Sequence, residues 1–164
     1  MKSMEWQQCG VFKRSILLLA TGFGLGLSPM ASGTAGALIG LLLSAVLTHS
    51  ASVAWQIVAA VVLSLIAIPI CDFAEGHFRW KDDGRIVADE YLTFPICTIG
   101  LPPEAWILAI AFVTNRVCDI IKPPPARALQ RLRGGTGVVI DDVLAALYSL
   151  AINHLIYYWA HHLR

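Results

Sequence analysis

Two clusters of acidic residues stand out in this 164-residue sequence because each lies directly before an apolar segment. Residues 82–90 read Asp-Asp-Gly-Arg-Ile-Val-Ala-Asp-Glu, and residues 134–142 read Gly-Gly-Thr-Gly-Val-Val-Ile-Asp-Asp. Carboxylate oxygens suit Mg²⁺, a hard cation that takes oxygen ligands and keeps several waters. Acids at these positions also favour or cap the N-terminus of a helix, and that simpler interpretation stays open for each cluster. The three glycines indicate a loop that is either flexible or closely packed.

A third cluster combines basic and acidic residues on one helical face. Arg116, Asp119 and Lys122 repeat every three residues, and the prolines at 123–125 end the predicted helix. A solvated ion-pair ladder would have the same spacing. The flanking residues are apolar, however, and an ionisable stripe on a membrane-compatible helix indicates function.

The fourth cluster, residues 22–36, is rich in glycine and hydroxyl groups. Successive backbone N–H groups at the start of a helix bind anions, so Ser28, Gly33 and Thr34 are candidate phosphate contacts. The segment is not a dinucleotide or P-loop fingerprint, because no strand precedes it and no lysine follows its last glycine. The alternative interpretation is a loop followed by a helix whose N-cap is Thr34.

We expect these four clusters to converge, because acids and bases in an otherwise apolar chain must find each other or water. Together they would form a site for a divalent metal and a phosphate group. The metal would neutralise phosphate oxygens and position or activate an attacking water, and the basic side chains would stabilise a phosphoryl group in transfer. The residues expected to meet there are Asp82, Asp89, Glu90, Asp119, Asp141 and Asp142, with Arg116 and Lys122.

The composition indicates a membrane protein. Charged residues make up 14% of the chain, against about 25% in soluble domains, while hydrophobic residues make up 57% and the mean hydropathy is +0.67. A disordered chain is excluded by this hydrophobicity, and a net charge of +1 gives no reason to expect a nucleic-acid partner. The four cysteines form no Cys-x-x-Cys pair, which argues against a zinc site and a disulfide scaffold.

The apolar segments differ in length. Residues 53–71 have the roughly 20 apolar residues that a spanning helix needs, and residues 143–159 nearly do. The segments at 15–27, 36–48, 91–99 and 105–113 are shorter. Irregular backbone at membrane depth must be surrounded by protein or line a cavity. We therefore expect an all-α, compact integral-membrane bundle with short or broken helices, forming one domain over residues 1–164.

The distribution of charge predicts a membrane topology, and the spacing of glycines predicts close helix packing. Lys2, Lys13 and Arg14 against a lone Glu5 place residues 1–14 in the cytoplasm. Residues 72–90 and 116–142 would share that face, residues 36–71 would form a hairpin that starts and ends there, and residues 91–113 would dip in and return. Glycines four apart, at 22 and 26 and at 36 and 40, would let two helices approach closely or simply reflect membrane composition.

Taken in chain order, the clusters resemble the phosphatidylglycerophosphatase A family. Its pattern includes a glycine-rich segment matched by Ser28-Pro29-Met-Ala-Ser32-Gly33-Thr34-Ala-Gly36, an Asp-x-Gly-x-Ile-Val-x-Asp-Glu segment, Arg-x-x-Asp-x-x-Lys-Pro-x-Pro, and Gly-Gly-x-Gly followed by Asp-Asp. The match runs from about residue 19 to residue 146. The chain departs from the pattern at Ser32, which replaces a proline, and at Gln130, where an acid is usual.

The resemblance implies a Mg²⁺-dependent phosphatase of the bacterial inner membrane, with its active site facing the cytoplasm, that converts the phospholipid phosphatidylglycerophosphate to phosphatidylglycerol and phosphate. Three sets of site residues are predicted: for catalysis Asp89, Glu90, Asp119 and Asp142; for the substrate phosphate Arg116, Lys122, Gly33, Thr34 and Ser28; and for the metal Asp82, Asp89, Glu90, Asp141 and Asp142. A non-enzymatic transporter or assembly protein with buried charges is the alternative. Transport sites lie near the bilayer midplane, whereas these acids border the apolar segments, where a lipid head group lies.

Overall fold

The computed structural model describes residues 10–28, 31–81, 83–130 and 132–162, and within these ranges the chain is helical and forms no strand. The predicted all-α architecture is therefore confirmed. Its α-helices are α1 (Val11–Ala20), α2 (Ser32–Ser50), α3 (Val53–Phe78), α4 (Ala88–Thr93), α5 (Ala105–Ile121), α6 (Ala126–Leu129) and α7 (Gly135–His162). Two short 3₁₀-helices, Leu25–Leu27 and Phe94–Thr98, follow α1 and α4.

Helices α2, α3 and α7 are long and apolar enough to cross a membrane. At 26 residues, α3 is about 39 Å long and exceeds the roughly 30 Å hydrocarbon core of a bilayer. The sequence predicts an apolar segment that ends at residue 71, but the helix continues to Phe78 and includes the polar residues Asp72 and Glu75. Helix α7 likewise starts at Gly135, eight residues before the predicted apolar span.

The connections follow the expected hairpin and re-entrant pattern. Only Ala51 and Ser52 separate α2 from α3, so these helices form the hairpin. The segment after α4 enters the bundle, turns at residues 99–101 and returns through α5. Side chains of neighbouring helices make hydrogen bonds with backbone N–H and C=O groups of this turn. Such partners are needed because the turn is surrounded by apolar helices. Gln56 Oε1 accepts the Gly100 N–H (2.9 Å), Asn153 Nδ2 donates to the Cys97 carbonyl (2.9 Å), and His154 Nε2 lies 2.9 Å from the Ile99 carbonyl.

Small residues on α2 allow the re-entrant segment to pack close to it. Gly36 and Gly40 are both buried, and a β-carbon at Gly40 would collide with the side chain of Phe94. The predicted close approach is therefore confirmed for this pair. Gly22 and Gly26 differ from the expectation, since they lie in the turn and 3₁₀-helix after α1 and not on one helix. They still face a neighbouring backbone, because a β-carbon at Gly26 would collide with the Arg85 carbonyl.

Candidate active site

One cleft of about 260 Å³ receives residues from all four sequence clusters. Five of the six predicted carboxylates line it, and Asp82 lies outside the described residues. The lining residues are Ser32, Gly84, Ile86, Asp89, Glu90, Asp119, Ile120, Lys122, Asp141 and Asp142. The structure thus brings together segments that are up to 110 positions apart in the sequence (Ser32 to Asp142).

Helix α4 carries Asp89 and Glu90 in its first turn, as the helix-terminus interpretation allowed. Two contacts to the end of α1 fix this turn: the Val87 N–H donates to the Ala20 carbonyl (2.9 Å), and the Tyr91 hydroxyl donates to the Leu19 carbonyl (3.0 Å). The preceding loop is held by an ion pair between Arg85 and Asp83 (2.7 Å), whose hydrogen bonds lower the pKa of the Asp83 carboxyl. The position of both acids therefore follows from the packing of α4 on α1.

The glycines at the start of α2 make room for Glu90. A β-carbon at Gly33 or Gly36 would lie within 2.5 Å of a Glu90 carboxylate oxygen, so a larger residue at either position would require the Glu90 side chain to move. The helix begins at Ser32, two residues before the alternative with Thr34 as N-cap. Ser32 lies on the cleft wall, whereas the predicted phosphate contacts Ser28, Gly33, Thr34 and Arg116 are not among the described residues that line the cleft.

Helix α5 contributes the two basic residues. Arg116 Nη1 lies 2.8 Å from Asp119 Oδ2 and 3.3 Å from Glu90 Oε1, so it links two carboxylates on different helices. The helix ends at Ile121, before the prolines as predicted, and the next residue, Lys122, has a left-handed backbone (φ +49°). Lys122 Nζ lies 2.5 Å from Asp141 Oδ2 on α7. The predicted ion-pair ladder along α5 is present as the Arg116–Asp119 pair. In addition, Arg116 contacts Glu90 on α4, and Lys122 contacts Asp141 on α7.

Helix α7 holds Asp141 and Asp142 in its second turn, so neither acid is the helix cap that the sequence also allowed. The residue that meets the start of this helix is Asp72 of α3, whose Oδ1 accepts the Gly135 N–H (3.1 Å). Gly135 packs against α3 so closely that a β-carbon would collide with the Ile68 carbonyl. The glycine segment is therefore a close-packing element that sets the depth of the two acids.

The cleft carries an excess of negative charge in a poorly solvated place. Five carboxylates and Lys122 line the cleft, and Arg116 pairs with two of these acids from outside the lining. Three of the acids are almost fully buried, with exposures of 6% (Asp89), 5% (Asp141) and 8% (Asp142). The charges of the other four acids all act on Asp142. Buried carboxylates in such a group are paired with cations, coordinate a metal or become neutral.

An all-oxygen donor set of this kind fits a hard divalent cation such as Mg²⁺. Within the described ranges, no three acidic, histidine or cysteine side chains are already gathered around one point. The fit to a hard divalent cation therefore rests on the chemistry of the carboxylate oxygens alone.

Sequence reasoning missed two residues that shape the site. Ser32 was noted only as a departure from the family pattern, yet it lines the cleft. Asp72 was counted only as the start of a polar stretch, yet it holds the start of α7. Its position directly after the apolar part of α3 was the available signal, since a carboxylate there can reach the N-terminus of a neighbouring helix.

Comparison with known proteins gives one consistent family. The family model "Phosphatidylglycerophosphatase A" matches residues 18–157. Proteins named phosphatidylglycerophosphatase A from Haemophilus influenzae and Escherichia coli are 37% and 36% identical to the chain, covering 88% of it and 90% and 83% of their own lengths. A Bacteroides thetaiotaomicron protein described as a candidate phosphatidylinositol-3-phosphatase is 36% identical, over 83% of this chain and 89% of its own. No solved structure matches the chain significantly.

Proposed function

Because the chain belongs to the phosphatidylglycerophosphatase A family, we propose that it removes the terminal phosphate of phosphatidylglycerophosphate with the help of Mg²⁺. Family membership makes it a phosphoric monoester hydrolase. The products would be phosphatidylglycerol and inorganic phosphate. The observation that carries the proposal is the cleft itself, in which five carboxylates and two cations meet at one end of a bundle of apolar helices.

The acids on α4 and α7 would hold the metal. We assign Asp89, Glu90, Asp141 and Asp142 to this role, with Asp82 as the predicted fifth member and Asp119 at its edge. When bound, Mg²⁺ would supply Lewis-acid stabilisation of phosphate oxygens and favour deprotonation of an attacking water. Asp141 and Glu90 also orient the cations of α5, so the acids of the cleft hold both the metal and the phosphate-binding side chains in place.

Arg116 and Lys122 would bind the phosphoryl group. A guanidinium has five N–H donors in a planar fork, and Nη1 of Arg116 makes its contacts with Glu90 and Asp119. These two contacts fix the plane of the fork beside the cleft, and its remaining donors suit two oxygens of one phosphate. Lys122 would act as a point charge on the opposite side of Asp119 along α5.

The distribution of basic residues supports a cytoplasmic active site. Each Lys and Arg in the described ranges lies at the end of the bundle that holds the cleft, from Lys13 beside Asp72 to Arg127 beside Ile121. The opposite end, with the turn at Gly100, carries no described Lys or Arg. Lys and Arg are enriched in cytoplasmic segments of membrane proteins, so we propose the inner membrane of a bacterium with the cleft facing the cytoplasm.

Phosphate release by the purified protein tests this function. We expect release from phosphatidylglycerophosphate in lipid nanodiscs, faster than from phosphatidylinositol 3-phosphate or phosphatidic acid at equal surface concentration. A preference for phosphatidylinositol 3-phosphate would keep the reaction class and change the substrate. Binding of these lipids without phosphate release from any of them would instead support a transport or assembly protein.

A further inference from the structure

One side chain of the cleft wall is also part of the outer surface of the bundle. Ile120 lines the cleft, yet 71% of it is exposed. The other apolar residue of the wall, Ile86, is buried, with an exposure of 5%. Among the described lining residues, Ile120 is therefore the apolar side chain that connects the interior of the cleft with the surface that faces lipid.

Ile120 lies at the end of an apolar stripe on α5. Trp106, Val113 and Val117 precede it at helical spacing, and all four are exposed large hydrophobic residues. The opposite face of α5 is the buried one and includes Ile107, Ala111, Asn115 and Cys118. The stripe from Trp106 to Ile120 is about 21 Å long, which exceeds the roughly 15 Å depth of one leaflet of the hydrocarbon core.

The apolar stripe stops where charged chemistry begins. Lys122 ends α5 two residues after Ile120, and its ammonium group contacts Asp141 inside the cleft. Asp119, one residue before Ile120, also lines the cleft. Apolar and ionic surfaces thus meet within one helical turn, which matches the boundary between acyl chains and head group in a phospholipid.

We propose that the lipid substrate reaches the cleft sideways from the bilayer, with its acyl chains along the exposed stripe of α5 and Ile120 positioning them at the opening. This inference rests on the proposed lipid-phosphatase function. The phosphomonoester would pass Ile120 and enter between Lys122 and the acids, while the acyl chains stay in hydrocarbon. Since the acyl chains never enter water in this arrangement, lateral access avoids the cost of extracting the lipid from the bilayer.

The test compares Ile120→Ser with Leu42→Ser, a matched control on α2. Leu42 is 70% exposed, almost the same as Ile120, and it does not line the cleft. Each variant is assayed on a long-chain phosphatidylglycerophosphate in nanodiscs and on a short-chain, water-soluble analogue with the same head group. We expect Ile120→Ser to raise KM for the long-chain lipid by about fivefold or more with kcat nearly unchanged, since it removes binding and not transition-state contacts.

The control outcomes separate this inference from the proposed function. Leu42→Ser should match the unmodified protein on both substrates, Ile120→Ser should raise KM at least fivefold more for the long-chain lipid than for the short-chain analogue, and Ile120→Leu should keep the long-chain KM of the unmodified protein. Equal KM values for Ile120→Ser and Leu42→Ser on the long-chain lipid would overturn the inference, as would equal losses on both substrates. If Ile120→Ser folds poorly by thermal unfolding, Ile120→Ala takes its place. An unmodified protein that releases no phosphate from any lipid would overturn the proposed function itself.

Discussion

Arg116 contacts Asp119 on its own helix and Glu90 on α4. Two roles are to be distinguished for it: binding of the transferring phosphoryl group, or only a structural link between the two helices. If Arg116 binds the transferring phosphoryl group, Arg116→Lys keeps the charge and loses the planar fork. We expect the rate to fall on the order of tenfold to a thousandfold, or about 1.4–4 kcal/mol of barrier, as for a misplaced transition-state donor. Steady-state kinetics with thermal unfolding of the same preparation measure both effects.

A matched control is Arg85→Lys, because the two-point ion pair of Arg85 is with Asp83, which is not one of the five carboxylates that line the cleft. It should leave the rate nearly unchanged. A purely structural Arg116 would behave differently, with a nearly silent Arg116→Lys and a parallel loss of stability and activity in Arg116→Ala. An unchanged rate for Arg116→Lys would remove the phosphate-binding role.

Single residues were predictable from the sequence where their charge conflicts with their surroundings. The acids on α4, α5 and α7 are predictable as site residues because charged groups in an apolar chain need partners, and all of them line the cleft. Ser32, Asp72 and Ile120 were not assigned a role, because a serine, a boundary acid and an isoleucine are ordinary at such positions. Their significance arises only from which helix each one faces in three dimensions.

Among the helices, α2 packs closely against α4 and the re-entrant segment that follows it, next to Glu90. Gly40→Ala should disturb this contact, because the new β-carbon would collide with Phe94. Gly76→Ala on α3 is the matched control, since nothing lies within 4 Å of its β-carbon. We expect Gly40→Ala to lower the melting temperature and the activity together, and Gly76→Ala to stabilise the helix by about 0.5–1 kcal/mol or leave it unchanged. Equal melting temperatures for the two variants would contradict this packing.

Helix limits were predictable only in part. Hydropathy located the apolar centres of α3 and α7 well, but both helices extend beyond them, to Phe78 and from Gly135. Hydropathy indicates which residues contact lipid. A helix makes its backbone hydrogen bonds within itself, so it can continue beyond the membrane into water. The buried contacts of Asn153 and Gln56 with the re-entrant turn were also beyond reach, because they join residues 56 and 44 positions apart.

At the scale of the whole molecule, the structure places residues 79–81 and 127 at one end and Glu104 near the other. Single cysteines at Arg79, Arg127 and Glu104, in a protein whose native cysteines are replaced by serine, test the orientation. A membrane-impermeant maleimide added to intact bacteria with a permeabilised outer membrane should label the Glu104 cysteine and spare the other two. Labelling of the first two on opposite sides of the membrane would contradict a shared face for the polar segments.

The sequence predicts that the four clusters converge, because their charged residues lie in an apolar chain and need partners. It does not predict the distances between the side chains of the clusters. Two cations are shared between helices, and close glycine contacts hold α7 on α3 and α2 on α4. Such distances depend on how five helices pack at once, which no local pattern encodes. The metal-binding roles of the acids remain predictions that rest on the chemistry of the donor set.

Glu90→Gln tests whether acids from separate helices form one Mg²⁺-dependent phosphatase site. Phosphate release from phosphatidylglycerophosphate is measured against Mg²⁺ concentration for the unmodified protein, Glu90→Gln and the control Glu75→Gln, which lies outside the cleft wall. We predict no release in EDTA, recovery with Mg²⁺ for the unmodified and Glu75→Gln proteins, and no turnover for Glu90→Gln at an unchanged melting temperature. Mg²⁺-dependent turnover retained by Glu90→Gln, or full activity of the unmodified protein in EDTA, would contradict the account.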